Sequence, residues 1–199
     1  MILINSSSKN ALKIFQPFLP VFVPIGLGVL AAACEQQGID TFCLDEQVEN
    51  DMMDRIETYV SRLSKPYIFG FSVLTAALKS ALELASNVKT RYPDSVVVFG
   101  GIHPSAAPEE VLLRNQVDIV IRGEGEQILT ELYRRIKSDR EYFDLDGLSY
   151  KKNGTMFHNN LPKSHMDLDE LPPFPYHLFE DQQYDSESVN ENETPFLRN

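Results

Sequence analysis

The sequence predicts a doubly wound α/β domain. Three observations carry that expectation: five short runs of continuous apolar residues, a segment of helical period after each, and small or polar residues where the runs end. The runs are Ile2 to Asn5, Ile39 to Leu44, Tyr67 to Ser72, Val96 to Phe99 and Val117 to Ile121. Their apolarity is continuous rather than alternating, as a strand buried on both faces of a parallel sheet requires. The helical segments are Ile25 to Gln37, Asp51 to Leu63, Ala76 to Arg91, Pro108 to Asn115 and Glu126 to Lys137. Strict alternation of the two gives a Rossmann-like five-stranded parallel sheet with helices on both faces.

After the last of these helices, Gly147 to Lys152 and Thr155 to His158 flank Asn153-Gly154. That dipeptide favours the left-handed conformations of a two-residue turn, so a small antiparallel β-hairpin is expected as an appendage. Beyond it, Asp167-Leu168-Asp169-Glu170-Leu171-Pro172-Pro173-Phe174-Pro175 reads as a proline-stiffened linker. Residues 180–199 are acidic and polar with little to bury, and an extended, disordered tail is expected there. The expected layout is an α/β domain over 1–140, a hairpin over 141–165 and a linker over 166–199.

A chain of 199 residues with 43% apolar content can bury one sizeable core. A net charge of -11 argues against a nucleic-acid partner, because such affinity rests on clustered Lys and Arg releasing counterions. The two cysteines, Cys34 and Cys43, lie in apolar stretches without His or Cys companions at ligand spacing, so neither a disulfide framework nor a metal site is expected. The opening Met1-Ile2-Leu3-Ile4-Asn5 is too short for a signal peptide. The apolar stretch from Phe15 to Cys34 is broken by Pro17, Pro20, Pro24, Gly26 and Gly28, which argues against a membrane span. A cytoplasmic chain with no membrane partner is expected.

In a doubly wound sheet the loops at the carboxyl ends of the strands carry the ligands. Here they are Asn5-Ser6-Ser7-Ser8, Ser72-Val73-Leu74-Thr75, Gly100-Gly101-Ile102-His103-Pro104 and Arg122-Gly123-Glu124-Gly125-Glu126. Each has a structural reading beside a ligand-binding one. Gly100-Gly101 is either a tight turn or a place where a bulky ligand lies against the main chain. Thr75 either caps the following helix or meets a ligand. Gly123 to Glu126 is either a flexible turn whose carboxylates complement a helix dipole or a ligand contact. His103 reads as a polar loop residue, or as a metal ligand or an acid-base group. No residue is singled out as catalytic.

Read together and in order, these motifs resemble a known family. Pro24-Ile25-Gly26-Leu27-Gly28-Val29-Leu30-Ala31-Ala32, Gly70-Phe71-Ser72-Val73-Leu74-Thr75, Gly100-Gly101-Ile102-His103-Pro104-Ser105, Gly123-Glu124-Gly125-Glu126 and Leu171-Pro172-Pro173-Phe174-Pro175 follow the pattern of the N-terminal cobalamin (vitamin B12) binding domain of radical S-adenosylmethionine enzymes. The resemblance covers residues 1 to about 178. It implies cobalamin as the cofactor, with Ser72 and Leu74 lining a channel for its nucleotide tail. Gly100 and Gly101 would let the tail pass the backbone, and Ser6 or Ser7 would offer hydroxyls. Gly26 and Thr75 belong to the same set, while Gly123, Glu124, Gly125, Glu126, His103 and Pro104 would lie nearer the ring edge. It also implies a partner domain, a C-terminal radical S-adenosylmethionine barrel holding an iron-sulfur cluster through CxxxCxxC. That motif is absent from this sequence, so the parent's chemistry, a methyl transfer or a cyclisation or rearrangement, belongs outside this chain.

One departure refines the expectation. Cobalamin domains of mutases and methionine synthase carry DxHxxG after the first strand, whose histidine coordinates cobalt from below; here the loop reads Asn5-Ser6-Ser7-Ser8-Lys9-Asn10. The resemblance therefore implies cobalamin bound base-off, with no protein histidine in place of its tail, and residues 11–24 walling the lower face of the corrin. Two rivals remain. A receiver-like phosphoacceptor domain shares the layout but requires acidic residues after the first strand, which Ile4-Asn5-Ser6 lacks. A degenerate domain that binds no cobalamin and serves as an interaction or substrate-gating module would keep the same glycines for structural reasons.

Overall fold

The computed structural model describes residues 1–8, 21–162, 168–182 and 184. Among these residues, seven strands form one sheet: β1 (Ile2–Asn5), β2 (Phe42–Asp45), β3 (Ile68–Ser72), β4 (Val96–Gly100), β5 (Ile119–Ile121), β6 (Leu148–Lys152) and β7 (Thr155–His158), in the order 2-1-3-4-5-6-7. The first five run parallel, as the sequence predicts, and order 2-1-3-4-5 puts the topological switch point between β1 and β3. The hairpin is more than an appendage. β6 pairs antiparallel with β5 and extends the sheet, with Asn153 and Gly154 both at positive φ in the turn.

Among the described residues, six α-helices cover the sheet: α1 (Ile25–Gln36), α2 (Met52–Val60), α3 (Leu78–Arg91), α4 (Ile102–Ala106), α5 (Pro108–Leu112) and α6 (Glu126–Lys137). Successive strand residues point to opposite faces, so the sheet builds two cores. On one face Ile4, Phe69, Phe71, Val97, Phe99 and Val120 meet α2, α3 and α5; on the other Leu3, Val98, Ile119 and Ile121 meet α1 and α6. Among the described residues, no helix is long and apolar enough to cross a membrane.

Two boundaries differ from the sequence reading for local reasons. Ile39, expected to open β2, instead closes α1. Its N–H donates to the Cys34 carbonyl while Gly38, at φ 70°, donates to Glu35, a pairing that terminates the helix and leaves β2 to begin at Phe42. The loop expected at Ile102 to Pro104 turns into α4, which tolerates Pro104 because a proline in the first turn forfeits no intrahelical hydrogen bond.

The cysteines lie in the α1 core. Burial pushes the Cys34 thiol up to about 12, and burial with the nearby Cys34 pushes Cys43 up as well. Because the thiolate is the nucleophile, an aromatic disulfide reagent at about pH 8 is expected to label neither cysteine in the folded chain and both in denaturant. Labelling of the folded chain within minutes would contradict the packing.

The segment after the hairpin also differs from expectation. Pro172, Pro173 and Pro175 keep it extended, but it docks rather than hangs free: the Phe174 ring fills the space a side chain at Gly28 would occupy, His177 pairs with Glu35 at 2.9 Å, and Phe179 is buried in the α1 core. Gln182, expected to have little to bury, is enclosed against β2. The remainder of the expected tail, 185–199, and residues 11–20 of the expected corrin-facing wall over 11–24 lie outside the described residues.

Candidate functional site

The strand register explains why a cavity opens on the α1 and α6 face. One row of residues on that face runs Cys43, Leu3, Gly70, Val98 and Ile119; the next row toward the carboxyl ends runs Asp45, Asn5, Ser72 and Gly100. Gly70, Ser72 and Gly100 occupy three positions where a buried sheet face ordinarily carries branched apolar side chains. The missing bulk leaves a cavity of about 310 Å³. Its floor is Leu3, Gly70, Ser72, Val98 and Gly100, its α1 wall is Gly26, Leu27 and Leu30, and its other side is Ile121, Gly123, Glu124, Gly125, Glu126 and Leu129. The lower part is apolar, and the polar groups gather at the strand ends. This is the distribution expected of a site for a ligand with an apolar body and polar substituents.

The structure brings together Gly26, Ser72, Gly100, Gly101, Gly123, Glu124, Gly125 and Glu126 of the residues singled out from the sequence. Gly101 joins β4 to α4 at φ 98°, ψ -169°, a conformation essentially reserved for glycine. A Cβ there would lie 2.9 Å from the Val73 nitrogen and 3.0 Å from its carbonyl oxygen. The close approach has a cause: Val73 donates to the Gly100 carbonyl and His103 to the Val73 carbonyl, stitching the β3 and β4 loops together. Gly123, at φ 79°, donates its N–H to Ser105 Oγ at 3.1 Å, and Glu126 opens α6 with its carboxylate at the positive end of the helix dipole.

The other sequence-derived residues do not line the cavity. Ser6 and Ser7 are buried at the end of β1, at the switch point. Ser6 Oγ has no hydrogen-bond partner, an orphaned polar atom that ordinarily signals a missing ligand or water. Leu74, on the loop after β3, and Ile102, at the start of α4, stand exposed at 56% and 70%. Thr75 makes no helix cap; its hydroxyl lies 3.3 Å from His103 Nδ1. His103 and Pro104 are buried outside the cavity lining, and His103 Nε2 lies 3.8 Å from the Glu110 carboxylate.

Sequence reasoning missed the apolar lining. Leu3, Leu27, Leu30, Val98, Ile121 and Leu129 carry the same signal as ordinary core residues. Only Gly70, a glycine inside a strand, carries a local hint of close approach. A carboxylate pair at the end of β2 was also not singled out. Glu46 accepts from the Ser7 N–H at 2.8 Å and from the Ser80 hydroxyl, and Asp45 accepts from Asn5 Nδ2 at 2.9 Å. Burial pushes the Asp45 carboxyl up from the usual aspartate range, against the Gln47 N–H and the Asn5, Tyr184 and Gln47 side chains that hold it down.

Known proteins resemble this chain in sequence and fold. An uncharacterised methyltransferase of Pyrococcus horikoshii is 30% identical over 168 residues, covering 83% of this chain and 36% of its own length. The anaerobic magnesium-protoporphyrin IX monomethyl ester cyclase of Synechocystis is 23% identical over 135 residues, covering 65% of this chain and 26% of its own length. The chain thus spans a minor part of each of these relatives. A solved structure of the cobalamin-dependent S-adenosylmethionine radical enzyme OxsB, with aqua-cobalamin and S-adenosylmethionine bound, matches the fold over 82% of this chain and 22% of that chain, with a TM-score of 0.67 at 22% identity. The family model of the B12 binding domain matches residues 15–133, the stretch from before α1 to within α6, and the chain belongs to that family, with a domain resembling those of cobalamin-dependent radical S-adenosylmethionine enzymes.

Proposed function

We propose that this domain binds cobalamin base-off, with the nucleotide tail in the cavity between the sheet and the α1 and α6 helices, as the cofactor module of a larger radical S-adenosylmethionine enzyme. The observation that carries the reading is the side-chain-poor floor, Gly70, Ser72 and Gly100, beneath an apolar slot between the sheet and the α1 and α6 helices. The residues present fit the cofactor. The unsatisfied Ser6 hydroxyl and the uncapped first turn of α1, where Gly26 lines the slot, supply donors for the polar atoms and phosphate of a tail. Glu124 and Glu126 supply acceptors for amide donors at a ring edge, and the exposed Leu74 and Ile102 supply apolar contact above the strand ends.

The chain's histidines are His103, His158, His165 and His177, none of them in the loop after β1, which supports a lower cobalt face without a protein imidazole. When bound, cobalamin supplies a cobalt centre that carries a methyl group or electrons. The domain's own residues bind it, orient it and exclude water from its tail. The parent reaction follows the relatives' classes, methyl transfer or cyclisation, and its iron-sulfur cluster and S-adenosylmethionine belong to a C-terminal partner domain.

Titration with hydroxocobalamin tests the reading. Saturable binding with a tail-displaced visible spectrum is expected, together with a rise in melting temperature, since a ligand at about a hundred times its Kd stabilises a folded protein by roughly 2.7 kcal/mol. An unchanged spectrum and melting temperature would favour the degenerate module instead.

A further inference from the structure

The two carboxylates at the end of β2 hold the loop after β1 from below. The Glu46 N–H donates to the Asn5 carbonyl at 3.0 Å, its side chain accepts from the Ser7 N–H at 2.8 Å, and Asp45 accepts from Asn5 Nδ2 at 2.9 Å. Ser6, between them, donates its N–H to the Ser72 carbonyl at 3.1 Å. The loop that presents the orphaned Ser6 hydroxyl is thus fixed by β2 on one side and β3 on the other.

β2 is the edge strand of the sheet, and an edge strand exposes unpaired backbone groups. Gln182 satisfies two of them. The Asp45 N–H donates to its Oε1 at 2.7 Å and its Nε2 donates to the Cys43 carbonyl at 3.1 Å, so one side-chain amide takes the place of a neighbouring strand. Tyr184 completes the clamp by donating its hydroxyl to Asp45 Oδ2 at 3.1 Å. The same segment is pinned to α1, a wall of the cavity, by Phe174 on Gly28 and His177 on Glu35. It therefore touches α1, a wall of the cavity, and β2, which holds the Ser6–Ser7 loop, while lining none of the cavity itself.

We propose that Asp45 and Glu46 are positioning residues for the Ser6–Ser7 loop, and that Gln182 and Tyr184 lock Asp45 in that role, so that docking of this segment and cobalamin binding strengthen each other. The inference rests on the reading that the Ser6–Ser7 loop meets cobalamin. Reciprocity follows from linkage: if docking raises the affinity for cobalamin by some factor, cobalamin stabilises docking by the same factor. A segment that leads out of the domain would then report the state of the site to whatever follows it.

The test uses the full chain, hydroxocobalamin as the probe, and amide hydrogen exchange at Ser7 and Asp45. Glu46→Ala is expected to weaken hydroxocobalamin about tenfold and to speed Ser7 exchange by a similar factor without cofactor, because a charged acceptor is lost. Glu46→Gln, which keeps an acceptor oxygen, restores most of both. Tyr184→Phe and Gln182→Ala, which touch neither cavity nor loop, are expected to weaken binding and speed Ser7 exchange about threefold to fivefold. Saturating hydroxocobalamin should slow Asp45 exchange in the unsubstituted chain. Unaltered Ser7 exchange and affinity in folded Tyr184→Phe and Gln182→Ala would overturn the coupling. If the unsubstituted chain fails to bind hydroxocobalamin, the cobalamin reading falls, and cofactor-free Ser7 exchange still decides whether the loop is positioned as proposed.

Discussion

Gly101→Ala is expected to cost the folded domain about 2–4 kcal/mol and to abolish measurable hydroxocobalamin binding. Two independent penalties add. The backbone at φ 98°, ψ -169° lies in a region that a side chain makes costly by itself, and the new Cβ would sit 2.9 Å from a backbone nitrogen and 3.0 Å from a carbonyl oxygen of Val73. Those atoms cannot rotate away as a flexible side chain would. Relief requires the β3 loop to move from the β4 loop, breaking the hydrogen bonds of Val73 to Gly100 and of His103 to Val73. The loop displaced is the one that starts at Ser72, on the cavity floor, so stability and binding should fall together. For a chain of this size the melting temperature should drop by roughly 5–15 °C. A melting temperature within a degree of the unsubstituted chain, with binding intact, would mean that the close approach at Gly101 is not what holds the two loops.

The layout of the sheet was legible because its signals are local. Continuous apolar runs such as Val96 to Phe99 announce strands buried on both sides, and Asn153-Gly154 announces its hairpin. Boundaries were lost where a residue's role depends on its neighbour's hydrogen bonds: Ile39 looks like a strand residue and serves as the closing contact of α1. The rim of the site was legible through its glycines, since Gly101 and Gly123 at positive φ are costly for any other residue. The apolar lining was not, because Leu27 or Val98 beside a cavity is the same letter as in a core. Least legible was the segment carrying Gln182, whose amide meets β2 across 137 residues of sequence. No periodicity encodes a pairing of that kind, and the surrounding acidic and polar letters point toward solvent.

Gly100→Leu separates the site from the fold, because it should raise one property while destroying the other. Gly100 ends β4 without positive φ, and a Cβ there would meet only the Ile121 carbonyl oxygen, at an ordinary 3.8 Å. Beyond that contact lies the cavity, walled by Leu27, Leu30, Val98 and Leu129, so a leucine side chain enters apolar space without strain. Filling a cavity of that kind typically adds about 0.5–2 kcal/mol of stability, and replacing glycine inside a strand removes a further conformational cost. The melting temperature should therefore hold or rise by a few degrees. The same side chain occupies the slot proposed for the nucleotide tail, and a tail held out of it loses most of its burial. Hydroxocobalamin affinity is expected to fall at least about a hundredfold, equivalent to some 2.7 kcal/mol. Loss of binding with the fold retained assigns the tail to this slot. Undiminished binding in the same variant would put the tail elsewhere, even if the domain still holds cobalamin, because a leucine and a nucleotide cannot share the space that Gly70, Ser72 and Gly100 leave open.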